Sequence, residues 1–398
     1  MDKINRRVYL DHAATTPLDK DVLQAMLPYF SDTFGNANSI HAFGSAAALG
    51  VDGARRTIAK LLGAKPTEIY FTSGGTEADN WALKGTAYAK KDKGKHIIVS
   101  SVEHAALTAS CAQLEKQGFS VTYLPVNAAG LVSPAELSAA LRDDTILVSV
   151  MLANNEVGTI QPIRELARIA HEKGVLFHTD AVQAVGSIPV NVAELGVDML
   201  SFSAHKFYGP KGVGALYIKS GVKPEKFMIG GHQERTMRGG TTNVPAVVGM
   251  AAAMEKAVTH LTENAQKIAA LRDRFVQRVE NEIEFVRYNG DRENRLPQNA
   301  NFSFEFIEGE SLLLNLDLCG IACSSGSACS SGSLEPSHVL LAMGIEHAVA
   351  HGSIRFTFGK DNTQEDVDYT VDKLKETVGK LRAISPQFAE FKQGVQNV

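Results

Sequence analysis

The chain has 398 residues, of which 44% are hydrophobic and 21% charged, and its formal net charge is −4 at pH 7. These values are typical of a soluble globular protein of about two domains, and the dispersed charges argue against a nucleic-acid ligand. The N-terminus lacks the apolar segment of a signal peptide, and no apolar run reaches the length of a membrane span. Four irregularly spaced cysteines do not form a disulfide framework, so we expect a protein of the reducing cytoplasm.

Between residues 68 and 220, short apolar runs alternate with amphipathic patterns. The runs that predict strands are EIYFTS, HIIVSS, VTYLPV, TILVSVML, VLFHTD and MLSFSAHK. The segments that predict helices include TEADNWALKGTAYAKK, HAALTASCAQLEKQG and IRELARIAHEKG. This α/β alternation indicates a mainly parallel sheet with helices on both faces, in which ligands bind beyond the carboxyl ends of the strands.

A long helical pattern over residues 244–283 precedes a region of different organisation. Its α+β pattern runs through NANFSFEF, GESLLLNLDLCG, SHVLLAMG, SIRFTFG and QEDVDYTVDKLKETVGKLRAI. We therefore predict a large domain over residues 16–262 and a small domain formed by residues 1–15 and 263–398. The small domain carries SSGSACSSGSLEP, residues 324–336, whose Ser and Gly content is typical of a flexible loop.

Two neighbouring strands of the predicted sheet end in residues of opposite charge. VLFHTD ends in Asp180, with Gln183 three residues later, and Lys206 follows the next strand. Taken singly, Asp180 could be a helix N-cap and Lys206 a solvated surface charge. Together they meet the needs of a pyridoxal phosphate site, where a lysine forms a Schiff base and a carboxylate keeps the pyridine nitrogen protonated.

A phosphate group also needs a site, and TSGGTEADN, residues 72–80, offers one. The segment runs from a strand through glycines into a helix, with Gly75 and Thr76 near the helix N-terminus, where backbone N–H groups favour an anion. Ser203 and His205 could add a hydroxyl and an imidazole. The alternative is an ordinary strand-to-helix turn.

Three further polar residues lie next to predicted strands: His104 in SSVEHAAL, Asn155 in LANNEVG and Arg355 in SIRFTFG. A histidine near the cofactor could stack on its ring and move protons near neutral pH. An arginine binds a carboxylate by two parallel hydrogen bonds. The alternatives are a structural histidine and a surface salt bridge.

Several motifs occur in order over about residues 7–393: YLDHAATTP, GNANSIH, FTSGGTEADN, SVEHAAL, ANNEVGTIQPI, HTDAVQAVG, SAHKFYGPKGVGALY, GGHQERTMRGGT and SSGSACSSGSLEPSHVL. Together they resemble the cysteine desulfurases, the NifS/IscS-like branch of the class V aminotransferases. The last motif resembles the long-loop branch of that family. The resemblance implies an aspartate aminotransferase-like fold, pyridoxal 5'-phosphate as cofactor and removal of sulfur from L-cysteine. Small departures from the family pattern, which affect only local loop geometry, occur at Ala37, Thr236 and Gly239.

The resemblance implies a role for each cofactor-binding residue. Lys206 would carry the cofactor, Asp180 would bind the pyridine nitrogen and Gln183 the phenolic oxygen. His104 would stack on the ring and act as an acid and base. The residues implied around the phosphate and its helix are Gly75, Thr76, Ser203 and His205.

The remaining implied roles concern the substrate and the partner subunit. Asn155, also next to the cofactor, and Arg355 would hold the substrate carboxylate. Thr241 would reach the phosphate in the neighbouring subunit, which implies a homodimer. Cys329 would attack the sulfur of L-cysteine, leaving L-alanine and a persulfide for acceptors such as iron–sulfur scaffold proteins, tRNA-thiolation enzymes or cofactor-synthesis enzymes.

The other cysteines have simpler interpretations. Cys319 and Cys323 lie in an apolar stretch and are expected in the core, and Cys111, on a predicted helix, is expected to be a packing residue. A metal site formed by Cys319, Cys323 and Cys329 would lack a fourth ligand, and the spacing of these cysteines fits no usual metal-binding pattern. No metal is therefore expected.

Three alternatives for the activity differ in their use of Cys329. An aminotransferase would not need it, a selenocysteine lyase would need it only in part, and an inactive sulfur-transfer scaffold would not need the catalytic residues. A Rossmann dehydrogenase is excluded because no G-x-G-x-x-G follows the first strand.

Overall fold

A computed structural model describes residues 6–325 and 336–396 of the chain. Cys329 and most of the predicted loop 324–336 lie outside the described residues. In the part that is described, no helix combines the length and the apolar character needed to cross a membrane.

The strands are β1 Val8–Tyr9, β2 Ile69–Thr72, β3 His96–Ser100, β4 Ser120–Leu124, β5 Thr145–Ser149, β6 Leu176–Asp180, β7 Met199–Ser203, β8 Gly214–Ile218, β9 Val286–Asn289, β10 Asn299–Phe304, β11 Ile321–Ala322 and β12 Ser353–Thr357. The helices are α1 Lys20–Met26, α2 Pro28–Ser31, α3 Ala42–Leu62, α4 Gly75–Lys90, α5 Ala105–Glu115, α6 Pro134–Ala140, α7 Ile163–Glu172, α8 Val192–Leu195, α9 Val244–Thr259, α10 Leu261–Glu282, α11 Gly309–Leu318, α12 His338–Ala342, α13 His347–His351, α14 Gln364–Ala383 and α15 Pro386–Gln396. Short 3₁₀ turns occur at Pro66–Glu68, Ala204–Lys206 and Glu234–Thr236.

The central sheet has seven strands in the order β2-β8-β7-β6-β5-β3-β4. The strands from β3 to β7 are parallel, and every residue of β3, β5 and β7 is buried, which confirms the predicted mainly parallel sheet. Strand β8 is antiparallel to both β7 and β2, and the sequence pattern had not assigned it. Its direction follows from the short link over residues 204–213, since a parallel return needs a crossover of a dozen or more residues.

Hydrophobic packing covers both faces of this sheet. On one face, α3, α7 and α9 contribute to a core that includes Ile58, Leu166 and Met250. On the other face, α4 and α5 pack around Trp81 and Leu107, both fully buried. The predicted alternation of strands and helices therefore places α4 directly against the strands whose ends carry the candidate site residues.

The C-terminal region forms a separate hydrophobic cluster around an antiparallel sheet of order β12-β10-β9. Phe275 lies at its centre and contacts the rings of Phe302, Phe356 and Phe358. Strand β1 pairs in parallel with β11, so Val8 at the start of the chain joins this same cluster.

The helical pattern over residues 244–283 is two helices, α9 and α10, which meet at His260. Val247 and Met250 of α9 belong to the core of the large sheet, whereas Leu271 and Phe275 of α10 belong to the C-terminal cluster. The break at His260 thus separates a helix of one core from a helix of the other. The domain boundary at residue 262 stays a prediction.

Candidate active site

A cavity of about 470 Å³ opens at the carboxyl ends of the parallel strands. The predicted site residues that line it are Gly75, Thr76, His104, Asn155, Asp180, Gln183, Ser203, His205, Lys206 and Arg355. These residues come from segments that span most of the chain, and the parallel sheet brings them to one edge because its strand ends point the same way. Cys329 lies outside the described residues, and Thr241 lines a different cavity.

Asp180 ends β6 at the floor of this cavity and is 5% exposed. One of its carboxylate oxygens, Oδ1, accepts a hydrogen bond of 2.8 Å from the backbone N–H of Val182. Burial raises the pKa of Asp180, while His104, the Val182 N–H and Lys206 act in the opposite direction by stabilising the anion. A carboxylate so placed can bind a protonated ring nitrogen.

Lys206 lies in the 3₁₀ turn that follows β7. Its Nζ donates to the backbone carbonyl oxygens of Ala13 at 2.5 Å and Ala14 at 2.9 Å. The motif YLDHAATTP therefore matters through its backbone, which fixes the position of the lysine amine. Two residues beyond Lys206, Tyr208 adopts a left-handed φ of 65°, and its hydroxyl accepts from the backbone N–H of Lys360.

The N-terminus of α4 forms the candidate phosphate site. A Cβ added to Gly75 would lie 2.6 Å from Cγ2 of Val182, so glycine allows the helix to approach the turn after β6. The N-cap, Gly74, offers no side-chain hydrogen bond to the helix, and the first backbone N–H groups face a cavity also lined by Ser203 and Lys211. A helix N-terminus next to a lysine favours a phosphate.

His205 lines the same cavity, and its Nδ1 atom lies 3.2 Å from the hydroxyl oxygen of Thr15. Burial, followed by the charges of Lys206 and Lys211, lowers the pKa of His205 to about 4. The ring is therefore neutral near pH 7 and would act as a hydrogen-bond donor rather than as a charge. The sequence analysis had not singled out Thr15 or Lys211, although both lie within quoted motifs.

His104 is held in one orientation at the start of α5. Its Nδ1 accepts a hydrogen bond of 3.1 Å from the backbone N–H of Ala106, which caps the helix. Since Nδ1 is the acceptor, the proton of the neutral ring is on Nε2. His104 therefore has a fixed tautomer as well as a fixed place at the cavity wall.

Arg355 is buried, with a side chain only 3% exposed, so the alternative of a surface salt bridge is wrong. Its Nη2 donates to a carboxylate oxygen of Asp11 at 2.9 Å, and its Nη1 donates to the backbone oxygen of Asn155 at 3.0 Å. The Nε atom is buried and has no partner among residues 6–325 and 336–396. The pairing with Asp11 was not predicted, because the two residues are 344 positions apart.

Two buried acids at the cavity were also not predicted. Glu103 is fully buried, and its desolvation raises its pKa to about 8. Asp79, on α4, is buried beside Asp180, and burial together with the charge of Asp180 raises its pKa well above the usual range. Asp79 lies in the motif TEADN and Glu103 in the motif SVEH. Neither was predicted to be buried, because a carboxylate on a helix or before a histidine is usually a surface residue.

Unsatisfied polar atoms provide a test of whether the cavity fits a polar cofactor. In the described part of the chain, three of the buried side-chain atoms without a hydrogen-bond partner line this cavity: Asp79 Oδ1, Glu103 Oε2 and Arg355 Nε. Buried polar groups normally have partners. An anionic group of a ligand would accept a hydrogen bond from Arg355 Nε, whereas Asp79 Oδ1 and Glu103 Oε2 are acceptors and need a donor or a proton on the same carboxyl group. With an amine, a carboxylate and a phosphate-binding helix terminus, the residues fit pyridoxal phosphate.

Thr241 lines a separate cavity of about 210 Å³ on a segment that two ion pairs hold in place. Arg55 donates to both carboxylate oxygens of Glu234 at 2.7 and 2.8 Å, and Arg238 donates to both of Glu77 at 2.8 and 2.9 Å. The backbone of the segment is left-handed at Glu234–Thr236, with φ of 46°, 55° and 70°.

The cysteines that the structure describes do not include a candidate nucleophile. Cys111 is fully buried on α5, as predicted, and burial raises its pKa to about 12. Cys319 and Cys323 pack against the C-terminal hydrophobic cluster with part of each residue exposed, and burial raises the pKa of the Cys323 thiol. The short strand β11 lies between them, and only its first residue, Ile321, is fully inside.

We expect the stability of the protein to fall with acidification because of His178, which is completely buried on β6. Burial lowers its pKa to about 3, whereas the unfolded chain has the ordinary value near 6.5. Below about pH 6.5 the unfolded state takes up a proton that the folded state does not. Between pH 7 and pH 5 the wild-type apoprotein should therefore lose about 2 kcal/mol more of its free energy of unfolding than His178→Asn.

Urea denaturation of both apoproteins at pH 7, 6 and 5 measures this difference. Parallel pH profiles for the two proteins would show that His178 carries a proton in the folded state.

Residues 8–370 match the family model of the class V aminotransferases. The chain is 56% identical to the cysteine desulfurase IscS of Dictyoglomus turgidum, over 98% of this chain and 99% of that protein. It is 54% identical to the cysteine desulfurase IscS of Methanosarcina thermophila, over 96% of this chain and 94% of that protein. Among solved structures, a NifS-like protein superposes with a TM-score of 0.89 at 42% identity, covering 94% of this chain and all of its own.

Proposed function

The chain belongs to the cysteine desulfurases of the class V aminotransferase family, and from this premise we propose how its residues divide the reaction. It uses pyridoxal phosphate, takes L-cysteine as substrate and delivers sulfur to acceptors. The observation that carries the assignment of roles is the convergence of Lys206, Asp180 and His104 on one cavity whose wall also holds the buried guanidinium of Arg355.

Several residues would hold the cofactor. Lys206 would attach it, Asp180 would bind its ring nitrogen and Gln183 its phenolic oxygen. The phosphate would lie at the N-terminus of α4, with the side chains or backbone of Gly75, Thr76, Ser203 and His205. When bound, pyridoxal phosphate supplies an electron sink that stabilises negative charge at the α-carbon of an amino acid.

The substrate would be held by its carboxylate. Arg355 has a guanidinium that is only partly satisfied, because Nε has no partner in the described part of the chain. Asn155 lies beside it, with its backbone oxygen already bonded to Nη1. A carboxylate bound there would leave the α-hydrogen to the amine of Lys206, which would act as the base, while Nε2 of His104 would hold or release a second proton.

Cys329 would take the sulfur. Its thiolate would attack the sulfur of the substrate, forming an S–S bond as the C–S bond breaks, with the electron pair left on carbon and later protonated to give L-alanine. Support comes from Ser324, a described residue five positions before Cys329. The backbone of Ser324 pairs with that of Arg355 at 2.6 and 3.2 Å, and five residues of chain can span about 17 Å. Cys329 is thus within reach of the substrate site.

The other end of the undescribed segment has a similar anchor. The hydroxyl of Ser337 donates to the carboxylate of Glu156, which follows Asn155 in the chain. Both described flanks of the segment therefore contact residues of the substrate-carboxylate site. We propose that Cys329 then passes its sulfur to iron–sulfur scaffold, tRNA-thiolation or cofactor-synthesis proteins, and that the enzyme works in the cytoplasm, where thiols stay reduced.

A product assay tests this function. The holoenzyme, incubated with L-cysteine and a thiol reductant, is expected to release L-alanine and sulfide in equal amounts. Pyruvate and ammonia in place of L-alanine, with sulfide still released, would indicate a β-eliminating lyase, and transfer of the amino group to a keto acid would indicate an aminotransferase. Preference for selenocysteine is measured in the same assay, with selenide as product.

The dimer is a further part of the proposal. Thr241 does not line the cavity that holds Lys206 and Asp180, and its own cavity shares Ser73 and Gly212 with the candidate phosphate site. Large apolar side chains are exposed in the segment over residues 27–43 and in the segment before Thr241, and they include Leu27, Phe30, Phe34, Ile40, Phe43 and Ile229. An apolar surface of this kind is typical of a subunit interface. We propose a homodimer in which Thr241 completes the partner's phosphate site. We also propose that the boundary between the large and the small domain lies at residue 262.

Mixed dimers test the role of Thr241. Thr241→Ala is expected to weaken cofactor binding about tenfold by loss of one hydrogen bond to a charged phosphate. Mixing Thr241→Ala with Lys206→Ala chains should restore one fully functional site in each mixed dimer, since that site has its own Lys206 and an intact Thr241 from the other chain. If Thr241 acted within its own chain, mixing would restore nothing.

A further inference from the structure

We propose that Asp79 is a positioning residue: a proton-bearing carboxyl group that donates a hydrogen bond to Asp180 and keeps Asp180 in its anionic form. The inference rests on the proposed role of Asp180 as the partner of the cofactor's ring nitrogen. It concerns how that role is maintained at a site that is closed to water.

The two carboxyl groups lie against each other beneath the cavity. Asp79 is on the inner face of α4, one helical turn after Gly75, and is 1% exposed, while Asp180 ends β6 and is 5% exposed. Both side chains line the same cavity, and they lie close enough for each to shift the pKa of the other, as Ser201 also does for Asp79. Two buried carboxylates in contact cannot both ionise near neutral pH, so the pair holds one proton.

The surroundings place that proton on Asp79. Three groups stabilise a negative charge on Asp180, namely His104, the N–H of Val182 and Lys206. Around Asp79 the charged neighbours are Asp180 and Glu103, both acidic, and burial raises its pKa further. Asp180 has a positive charge and a backbone N–H donor beside it, whereas the favourable neighbour of Asp79 is the neutral hydroxyl of Ser201, so Asp180 carries the charge.

The surroundings of the Asp79 carboxyl oxygens are consistent with a protonated, neutral carboxyl group. Its Oδ1 is buried without a hydrogen-bond partner among residues 6–325 and 336–396, and the closest basic atom is His178 Nε2 at 3.8 Å. An ionised carboxylate would leave a full acceptor unpaired, whereas the carbonyl oxygen of a neutral acid is a weaker acceptor and tolerates it better.

His178 does not compensate for a charge on Asp79. Its two ring nitrogens lie 2.8 Å from the hydroxyl of Ser149 and 2.9 Å from the hydroxyl of Ser201, and both hydroxyls are buried. Burial keeps the pKa of His178 low, so the ring is neutral at pH 7. Ser149, His178 and Ser201 therefore form a neutral hydrogen-bonded row that lies beside Asp79.

The consequence for the cofactor follows from base strength. A carboxylate that accepts a hydrogen bond is a weaker base, so the proton shared between Asp180 and the ring nitrogen stays on the nitrogen. Without the donor on Asp79, Asp180 would be a stronger base and would hold the shared proton more tightly, so a bound cofactor would supply a weaker electron sink.

Asp79→Asn and Asp79→Leu separate this role from packing. Asparagine keeps a donor for Asp180 and cannot ionise, whereas leucine keeps the volume and has no donor. The measurement is the pH midpoint of the visible absorption of the resting holoenzyme. We expect Asp79→Asn to match the wild type within a few tenths of a pH unit, and Asp79→Leu to shift the midpoint upward by about one unit, with kcat about tenfold lower and KM unchanged.

The control is Thr86→Val, on the same helix, where the buried hydroxyl donates to the sulfur of Met199 at 3.7 Å. It should leave the midpoint unchanged. A midpoint in Asp79→Asn that moves by one unit would show that Asp79 is ionised, and an unchanged midpoint in a folded Asp79→Leu would show that the residue only packs; each overturns the proposal. If Asp79→Leu does not fold, Asp79→Asn alone decides. Failure of the proposed function would instead appear in the wild type, as absence of alanine and sulfide.

Discussion

Lys206→Ala is expected to lose desulfurase activity by about 10⁴-fold, the upper end of what one positioned acid–base group contributes. The structure holds its Nζ at the carbonyl oxygens of Ala13 and Ala14, so the amine is fixed and not sampling solvent. Alanine removes both the attachment of the cofactor and the base. The measurement is alanine release from L-cysteine, together with the visible absorption that attachment produces.

The variant Lys206→Arg separates the positive charge of the lysine side chain from its ability to act as a base. Arginine keeps a positive charge and donors for the same two carbonyl oxygens, yet it does not deprotonate in proteins. It should be as inactive as the alanine variant. The matched control is Lys219→Ala, whose side chain is 49% exposed and pairs with Asp198 away from the cavity, and which should keep full activity. Activity in Lys206→Arg would mean that the charge, and not the base, is what the reaction needs.

Cys329→Ser is expected to abolish release of both alanine and sulfide while leaving the earlier proton transfer intact. Serine does not attack sulfur, but Lys206 and His104 remain in place. In D₂O the variant should still exchange the α-hydrogen of L-cysteine for deuterium, which proton NMR of the recovered amino acid measures. If the variant releases no alanine or sulfide but still exchanges the α-hydrogen, then Cys329 acts in the step after proton removal.

The matched control for this variant is Cys319→Ser. Cys319 is half-buried at the end of α11 and packs at the edge of the C-terminal cluster, so its replacement should change activity by less than about twofold. Should Cys329→Ser keep its sulfide release, the loop cysteine is incidental and the enzyme is a lyase. Loss of exchange as well as products would show that the residue is needed to build the site.

Much of the site could be predicted because strand ends and motifs are local. The apolar run VLFHTD both specifies a buried strand and ends it in Asp180, and MLSFSAHK does the same for Lys206. The direction of β8 was not predicted, because the buried apolar run GALYI would suit a parallel or an antiparallel strand equally well. Only the short link before β8 makes the strand antiparallel to β7. Local pattern fixes the strand, and chain geometry fixes its direction.

The residues that were missed have long-range causes. Asp11 is visible only as the partner of Arg355, across almost the whole chain, and Asp79 matters only because α4 is pressed against the end of β6. Neither relation leaves a periodicity or a spacing in the sequence. For the same reason, burial of Arg355 was not evident from SIRFTFG, where a surface arginine fits the pattern equally well.

The left-handed segment at Glu234–Thr236 has a consequence for assembly. Non-glycine residues in this conformation are costly, and two buried ion pairs, Arg55 with Glu234 and Arg238 with Glu77, hold the segment within a single chain. The entropy of ordering the loop that presents Thr241 is therefore lost when the subunit folds, and not when two subunits meet. In the homodimer that we propose, a loop already ordered in the single chain would let the two subunits associate with little rearrangement, so that both active sites would be complete as soon as the chains associate.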